Sequence, residues 1–147
     1  MTPNADKFQR CATVAQRLRQ PLTALAAIYD PGTFFSAFRF ASLAELGALL
    51  GDFHVNGHGG RRYDKSSVLR FNTGERRPTP DTVTTYGLIA DQIIRARSGG
   101  RVRVRLQVRA SGRWKLIPQA TCARCERAYA PAGWHQTQCL RCLRKGR

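Results

Sequence analysis

Acid is what this chain has least of: nine Asp and Glu stand against 25 Lys and Arg in 147 residues, a formal charge of +16. So strong an imbalance points to a polyanionic partner before any motif is considered. The few carboxylates are scattered, which argues against a two-metal nuclease. Long apolar runs are missing as well. No stretch approaches the roughly 18 apolar residues of a membrane span, and the amino terminus has no basic segment leading into an apolar one. A soluble cytoplasmic protein with no membrane partner is expected, nucleoid-associated if it binds DNA. The sequence also lacks a Walker loop, a nucleophile elbow, an internal repeat and any low-complexity tract. The expectation is that it is not an enzyme.

What is present is enough apolar material, 42% of the residues, for a folded core. The positive charge is uneven. Residues 101–147 carry twelve basic groups and a single acid, Glu126, while residues 1–100 carry thirteen and eight. Ser98-Gly99-Gly100 lies between the two parts and is the clearest boundary signal. In the first part Phe8, Cys11, Ala12, Ala15 and Leu18 recur at helical spacing, and Leu22, Leu25, Ala26 and Tyr29 continue a helical face. Asp30-Pro31 opens a segment dense in Phe34, Phe35, Phe38 and Phe40, which reads as core because nothing polar converges on the rings. Ser42 to Glu45 is a capping box, and Gly51 closes the helix it opens. Thr79-Pro80-Asp81 starts another helix, whose buried stripe is Val83, Tyr86, Ala90, Ile93 and Ile94.

Residues 63–78 form a short helix with its start and stop written out. Asp64 can cap the first turn, Val68 and Phe71 point inward with Leu69 beside them, Gly74 supplies a left-handed stop and Pro78 prevents resumption. The outward face is Lys65, Ser66, Ser67, Arg70, Asn72 and Thr73: phosphate binders together with short or amide groups that can reach base edges. Lys65 and Ser67, in the first turn, are the candidates for base reading. Arg70 could read guanine or fix the backbone, and Arg76 and Arg77 follow. The order Ser66-Ser67, Val68, Arg70, Phe71, Gly74, Pro78 resembles the recognition helix of the Cro and phage-repressor class of helix-turn-helix regulators, the xenobiotic-response-element family. Residues 42–51 look like the preceding helix of that motif. Two features depart from it: Asn72 stands where an acid is common, and the usual short turn is replaced by residues 52–62. That loop holds His54 and His58, whose spacing could suit a metal on a helix, but Gly57, Gly59 and Gly60 disfavour one. Its Arg61 and Arg62 are candidates for phosphate contact.

From Arg101 the period changes to two. Arg101, Arg103 and Arg105 alternate with Val102, Val104 and Leu106, and the chain returns through Trp114, Leu116 and Ile117 after a turn at Ala110-Ser111-Gly112. This is a β-hairpin with one apolar and one basic face; Arg103, Arg105 and Arg109 could contact phosphate, or the arginines could simply protect an edge strand. Cys122-x2-Cys125 and Cys139-x2-Cys142, separated by 13 residues, have the spacing of a closed four-thiolate Zn2+ site. His135 lies between the pairs and could compete as a ligand. The arrangement resembles the zinc-ribbon class, except that too little chain follows Cys142 for a full third strand. Cys11 lies apart from this set.

The fold class expected is therefore mainly α: a multi-helix helix-turn-helix domain over residues 1–98, with the motif at 42–78, followed by a small β-hairpin zinc-ribbon module over 101–147. The function expected is sequence-preferring binding of double-stranded DNA by a transcriptional regulator, with the zinc module adding backbone contacts. Two alternatives stand beside it. One is an RNA-binding or ribosome-associated protein gripping RNA through the Arg hairpin and Trp114. The other is a zinc module that docks a protein partner in a nucleic-acid-processing complex. The motif class often forms homodimers, which the sequence does not decide.

Overall fold

A computed structural model describes residues 3–54 and 63–146, with side chains from residue 6 onward. Within them the chain forms α1 (Pro3–Arg17), α2 (Leu22–Leu25), α3 (Pro31–Ala37), α4 (Leu43–Asp52), α5 (Lys65–Thr73), α6 (Pro80–Ser98), β1 (Val102–Val108), β2 (Trp114–Thr121), β3 (Ala128–Tyr129) and α7 (Leu140–Lys145). The helix starts follow the cap chemistry. Asp30 accepts from the Thr33 amide at 2.7 Å while Thr33 Oγ1 accepts from the Asp30 amide at 3.0 Å, and Pro31 occupies the first turn. Ser42 accepts from the Glu45 amide at 3.1 Å; the Glu45 carboxylate reaches past it to the Ala41 amide and to Arg17 of α1. Asp64 and Thr79 cap α5 and α6 in the same way. Helix ends were less predictable. Gly74 and Gly99 do close α5 and α6 at φ of 79° and 65°. Gly51, however, is an interior, buried residue of α4, which runs on to Asp52, and α2 is a single turn.

The spine of the molecule is α6, with Tyr86, Ile89, Ala90, Ile93 and Ile94 buried; α1 packs along it on one side and β1 on another. Phe34 of α3 sits where the layers meet, with ring centroids 4.8 Å from Phe38, 5.0 Å edge-on from Tyr86 and 6.3 Å from Trp114. Cys11 is buried in this core, and burial pushes its thiol up to about 12. Gly87 allows the sheet to approach α6, since a Cβ there would lie 3.1 Å from Leu106 Cβ. One turn later Asp91, itself buried, accepts from the Val104 amide at 3.0 Å and from Arg103 Nε and Nη2 at 3.0 and 2.9 Å.

The sheet is antiparallel with order β1-β2-β3; Val102 faces Ala120, Val108 faces Trp114, and Ala120 pairs in turn with Tyr129. Val102, Val104, Trp114 and Leu116 turn inward and join the same cluster as Leu18, Phe34, Ile93 and Trp134. This overturns the expected fold class. The chain is not mainly α, with a helix-turn-helix domain followed by a β-hairpin zinc-ribbon module. A three-stranded sheet shares one core with the helices, giving a mixed α and β architecture. The reason is burial: the cysteine segment offers too little apolar surface to cover the inner face of the hairpin, and α6 covers it instead. Ser98-Gly99-Gly100 makes a tight α6-to-β1 turn, in which the Gly100 amide donates to Arg95 O at 2.8 Å and the Val102 amide to Ser98 Oγ at 2.9 Å. Among the described residues no helix is long and apolar enough to cross a membrane.

Candidate metal centre and nucleic-acid face

The sheet delivers the first cysteine pair directly, because Cys122 follows the last residue of β2. Its carbonyl accepts from Glu126, which takes φ of 61°, and its amide donates to Arg127 O, so the chain folds back in a tight knuckle. The Cys125 amide then points at Cys122 Sγ at 3.5 Å. The second knuckle opens α7: Cys139 is its N-cap, and Cys142 lies in its first turn. The Cys139 amide donates to Cys122 Sγ at 3.3 Å, and Ala123 donates to Thr137 O at 2.9 Å, which holds the knuckles face to face. All four Sγ atoms lie within 4.8 Å of one another, and Cys125 and Cys139 approach to 3.8 Å. Four thiolates bound at about 2.3 Å in a tetrahedron have edges of about 3.8 Å, so the set fits one metal ion. Amide donation from Cys125 draws the Cys122 thiol down to about 6, whereas burial and the neighbouring sulfurs push Cys142 up to about 12. A bound cation is what allows all four to be thiolates together. His135 is exposed and outside this cluster.

Trp134, between the pairs, anchors the centre to the body. Its ring is buried under the Arg97 guanidinium, its Nε1 donates to Gln20 O at 3.0 Å, and its carbonyl accepts from Arg101.

The short helix expected within residues 63–78 is present as α5. The Ser67 amide donates to Asp64 Oδ1 at 2.7 Å, which holds the Asp64 carboxyl below the usual carboxylate range. Val68 and Phe71 are buried, three residues apart on one face. Lys65, Ser66, Arg70 and Thr73 are exposed, with Ser67 half-buried beside them. Two residues depart from the expected face. Leu69 is 50% exposed and stands among the polar residues, because it sits about 100° around the helix from Val68. Asn72 is half-buried against α3, with Oδ1 buried and its carbonyl where a Gly32 Cβ would lie 2.6 Å away; it belongs to the α3–α5 contact, not the outward face.

The arginines divide in a way the sequence does not show. Arg103 curls back onto the Asp91 carboxylate, which keeps its guanidinium all the more firmly protonated; this is an internal ion pair before it is a phosphate contact. Arg76 stacks over Phe71, and Arg76, Arg77 and Arg105 line one groove between α6 and β1. Arg109 is exposed at the hairpin turn. Arg61, Arg62 and His58 lie outside the described residues; His54 is beside the Tyr63 ring, with 5.9 Å between centroids.

The chain matches no family model, no curated protein and no solved structure. Sequence reasoning missed Asp91, Arg113 and Trp134. Asp91 was findable, as the one acid within the apolar stripe of α6. Arg113, over the Tyr29 ring at 4.9 Å, left no local signal, because the pairing spans most of the chain.

Proposed function

We propose that this chain is a sequence-preferring double-stranded DNA-binding protein acting as a transcriptional regulator, with Zn2+ as a structural ion in the Cys122, Cys125, Cys139 and Cys142 site. The observation that carries the reading is the exposed face of α5. Lys65, Ser66, Leu69, Arg70 and Thr73 share it, and none is acidic. A helix so composed can enter a major groove, with Lys65, Ser66 and Ser67 toward base edges, Arg70 to guanine or phosphate, and Leu69 against a thymine methyl. Arg76 and Arg77, which follow α5 and line one groove with Arg105, would meet phosphates, as would the exposed Arg109. The resemblance of residues 42–78 to the Cro and repressor class points the same way. Four thiolates leave no open coordination position, so the ion's part is to hold residues 122–142 together and keep Arg124, Arg127, Arg141 and Arg144 on the outside.

Trp114 weakens the RNA alternative, because its ring is buried against Tyr86 at 5.0 Å between centroids and is not an exposed stacking platform. Selection from a random duplex pool tests the proposal. A recovered base-pair motif supports it; enrichment no better than bulk duplex contradicts it.

A further inference from the structure

Between the first half of α6, the far half of β1 and the hairpin turn runs an open groove of about 1110 Å³. Aliphatic side chains line it, Val83, Leu88, Leu106 and Val108, of which Leu88 is 41% and Val108 49% exposed, together with the rings of Tyr29, Phe71 and Trp114. Its rim is basic, with Arg76 and Arg77 on one side and Arg105 and Arg113 on the other. Two carboxylates also line it, and both are engaged: Asp91 with Arg103, and Asp30 with the Thr33 amide.

We propose that this groove docks a segment of a partner protein in which apolar side chains are interspersed with Asp and Glu. The combination of apolar side chains and guanidinium groups disfavours other occupants. A duplex backbone satisfies guanidinium groups but leaves the aliphatic side chains unmatched, and single-stranded bases call for several open rings to stack on, whereas of the three aromatic residues lining the groove Phe71 and Trp114 are buried and Tyr29 has the Arg113 guanidinium over its ring. A second copy of this chain is too poor in acid to neutralise four arginines, with nine carboxylates spread over 147 residues. An acidic amphipathic segment meets both requirements. Its carboxylates take the planar guanidinium forks two hydrogen bonds at a time, and its apolar side chains cover Leu88 and Val108. Arg76, Arg77 and Arg105 serve the groove and the proposed duplex contacts alike, so the occupant and a duplex compete for them. The residues that decide the inference, Leu88, Val108 and Arg113, are outside the proposed duplex contacts, so it does not depend on the DNA reading.

The probe is a fluorescein-labelled peptide with Leu at i, i+3, i+4 and i+7 among Asp and Glu, measured by fluorescence polarisation against the full chain with zinc bound. A scrambled peptide of the same composition and a labelled oligo-dT strand are run beside it. Saturable binding of the patterned peptide is expected, weakened at least about tenfold by Leu88→Asp and by Arg113→Glu, with Leu88→Asp keeping the wild-type melting temperature and Arg113→Glu, which leaves the Tyr29 ring, remaining folded with a slightly lower one. Lys65→Ala should leave peptide binding unchanged. Absence of saturable binding, equal binding of the scrambled peptide, or full affinity in folded Leu88→Asp overturns the inference. A Leu88-dependent affinity for oligo-dT that displaces the peptide overturns it in favour of a single-stranded nucleic acid.

Discussion

At the scale of single residues, the arginine pattern shows how composition and role part company. Arg103 and Arg105 are equivalent in the sequence, two apart on one alternating strand, yet only Arg105 keeps its charge for an outside partner, because Asp91 happens to lie beside Arg103. Arg103→Ala should therefore lower stability by about 1–2 kcal/mol, the loss of a charged hydrogen bond reduced by the arginine's exposure to solvent. Asp91→Ala should cost more, since it also leaves the Val104 amide without its acceptor. Thermal unfolding of the two variants checks the order; equal and negligible losses would show that the pair contributes nothing. The double variant Arg105→Ala with Arg109→Ala should behave differently, keeping the melting temperature and flattening the log-log salt dependence of duplex binding by about 0.9 per lost phosphate contact. An unchanged slope would remove the hairpin from the duplex contacts.

At the scale of elements, two glycines let α5 and the residue before it pack closely, Gly32 of α3 against the Asn72 carbonyl and Gly47 of α4 against Tyr63. Gly47 of α4 accepts the Tyr63 amide through its carbonyl, and a Cβ on it would fall 2.5 Å from Tyr63 O. The Tyr63 hydroxyl meets Thr82 Oγ1 of α6 at 3.1 Å, so the residue leading into α5 is fixed to both neighbouring helices. Gly47→Ala should cost about 1–3 kcal/mol and impair duplex binding although it touches no DNA, because the backbone entering α5 must shift. Wild-type stability and binding in this variant would mean that the contact is loose. Much of α5 was legible in the sequence: cap chemistry is local, and Asp64, Val68, Phe71 and Gly74 act within one or two turns. Asn72 was misplaced because its neighbours come from α3, outside the helix, whereas Leu69 was misplaced against the helical period itself, which turns it about 100° from Val68. The cysteine knuckles were legible for the same reason of locality. The union of sheet and helices was not, because Phe34, Tyr86, Trp114 and Trp134 meet across long sequence separations that no periodicity encodes.

At the scale of the whole molecule, the candidate metal centre is not an appendage. Trp134 ties it to Gln20 and Arg97, and the inner face of the sheet belongs to the common core. One zinc per chain is expected by elemental analysis, and chelation or Cys122→Ser should lower the melting temperature of the entire chain and not only free its last third to protease. A chelated protein that melts as before, or that contains no zinc after chelator-free purification, would remove the ion from the account. The central claim concerns α5, and its most direct test is the affinity of Lys65→Ala and Ser67→Ala for the duplex recovered by selection, compared with random duplex at the same salt. Each substitution should cost on the order of 1–3 kcal/mol on the selected duplex and much less on the random one, with the melting temperature unchanged. Equal losses on both duplexes would contradict the claim, leaving α5 as a positioning helix that reads no sequence.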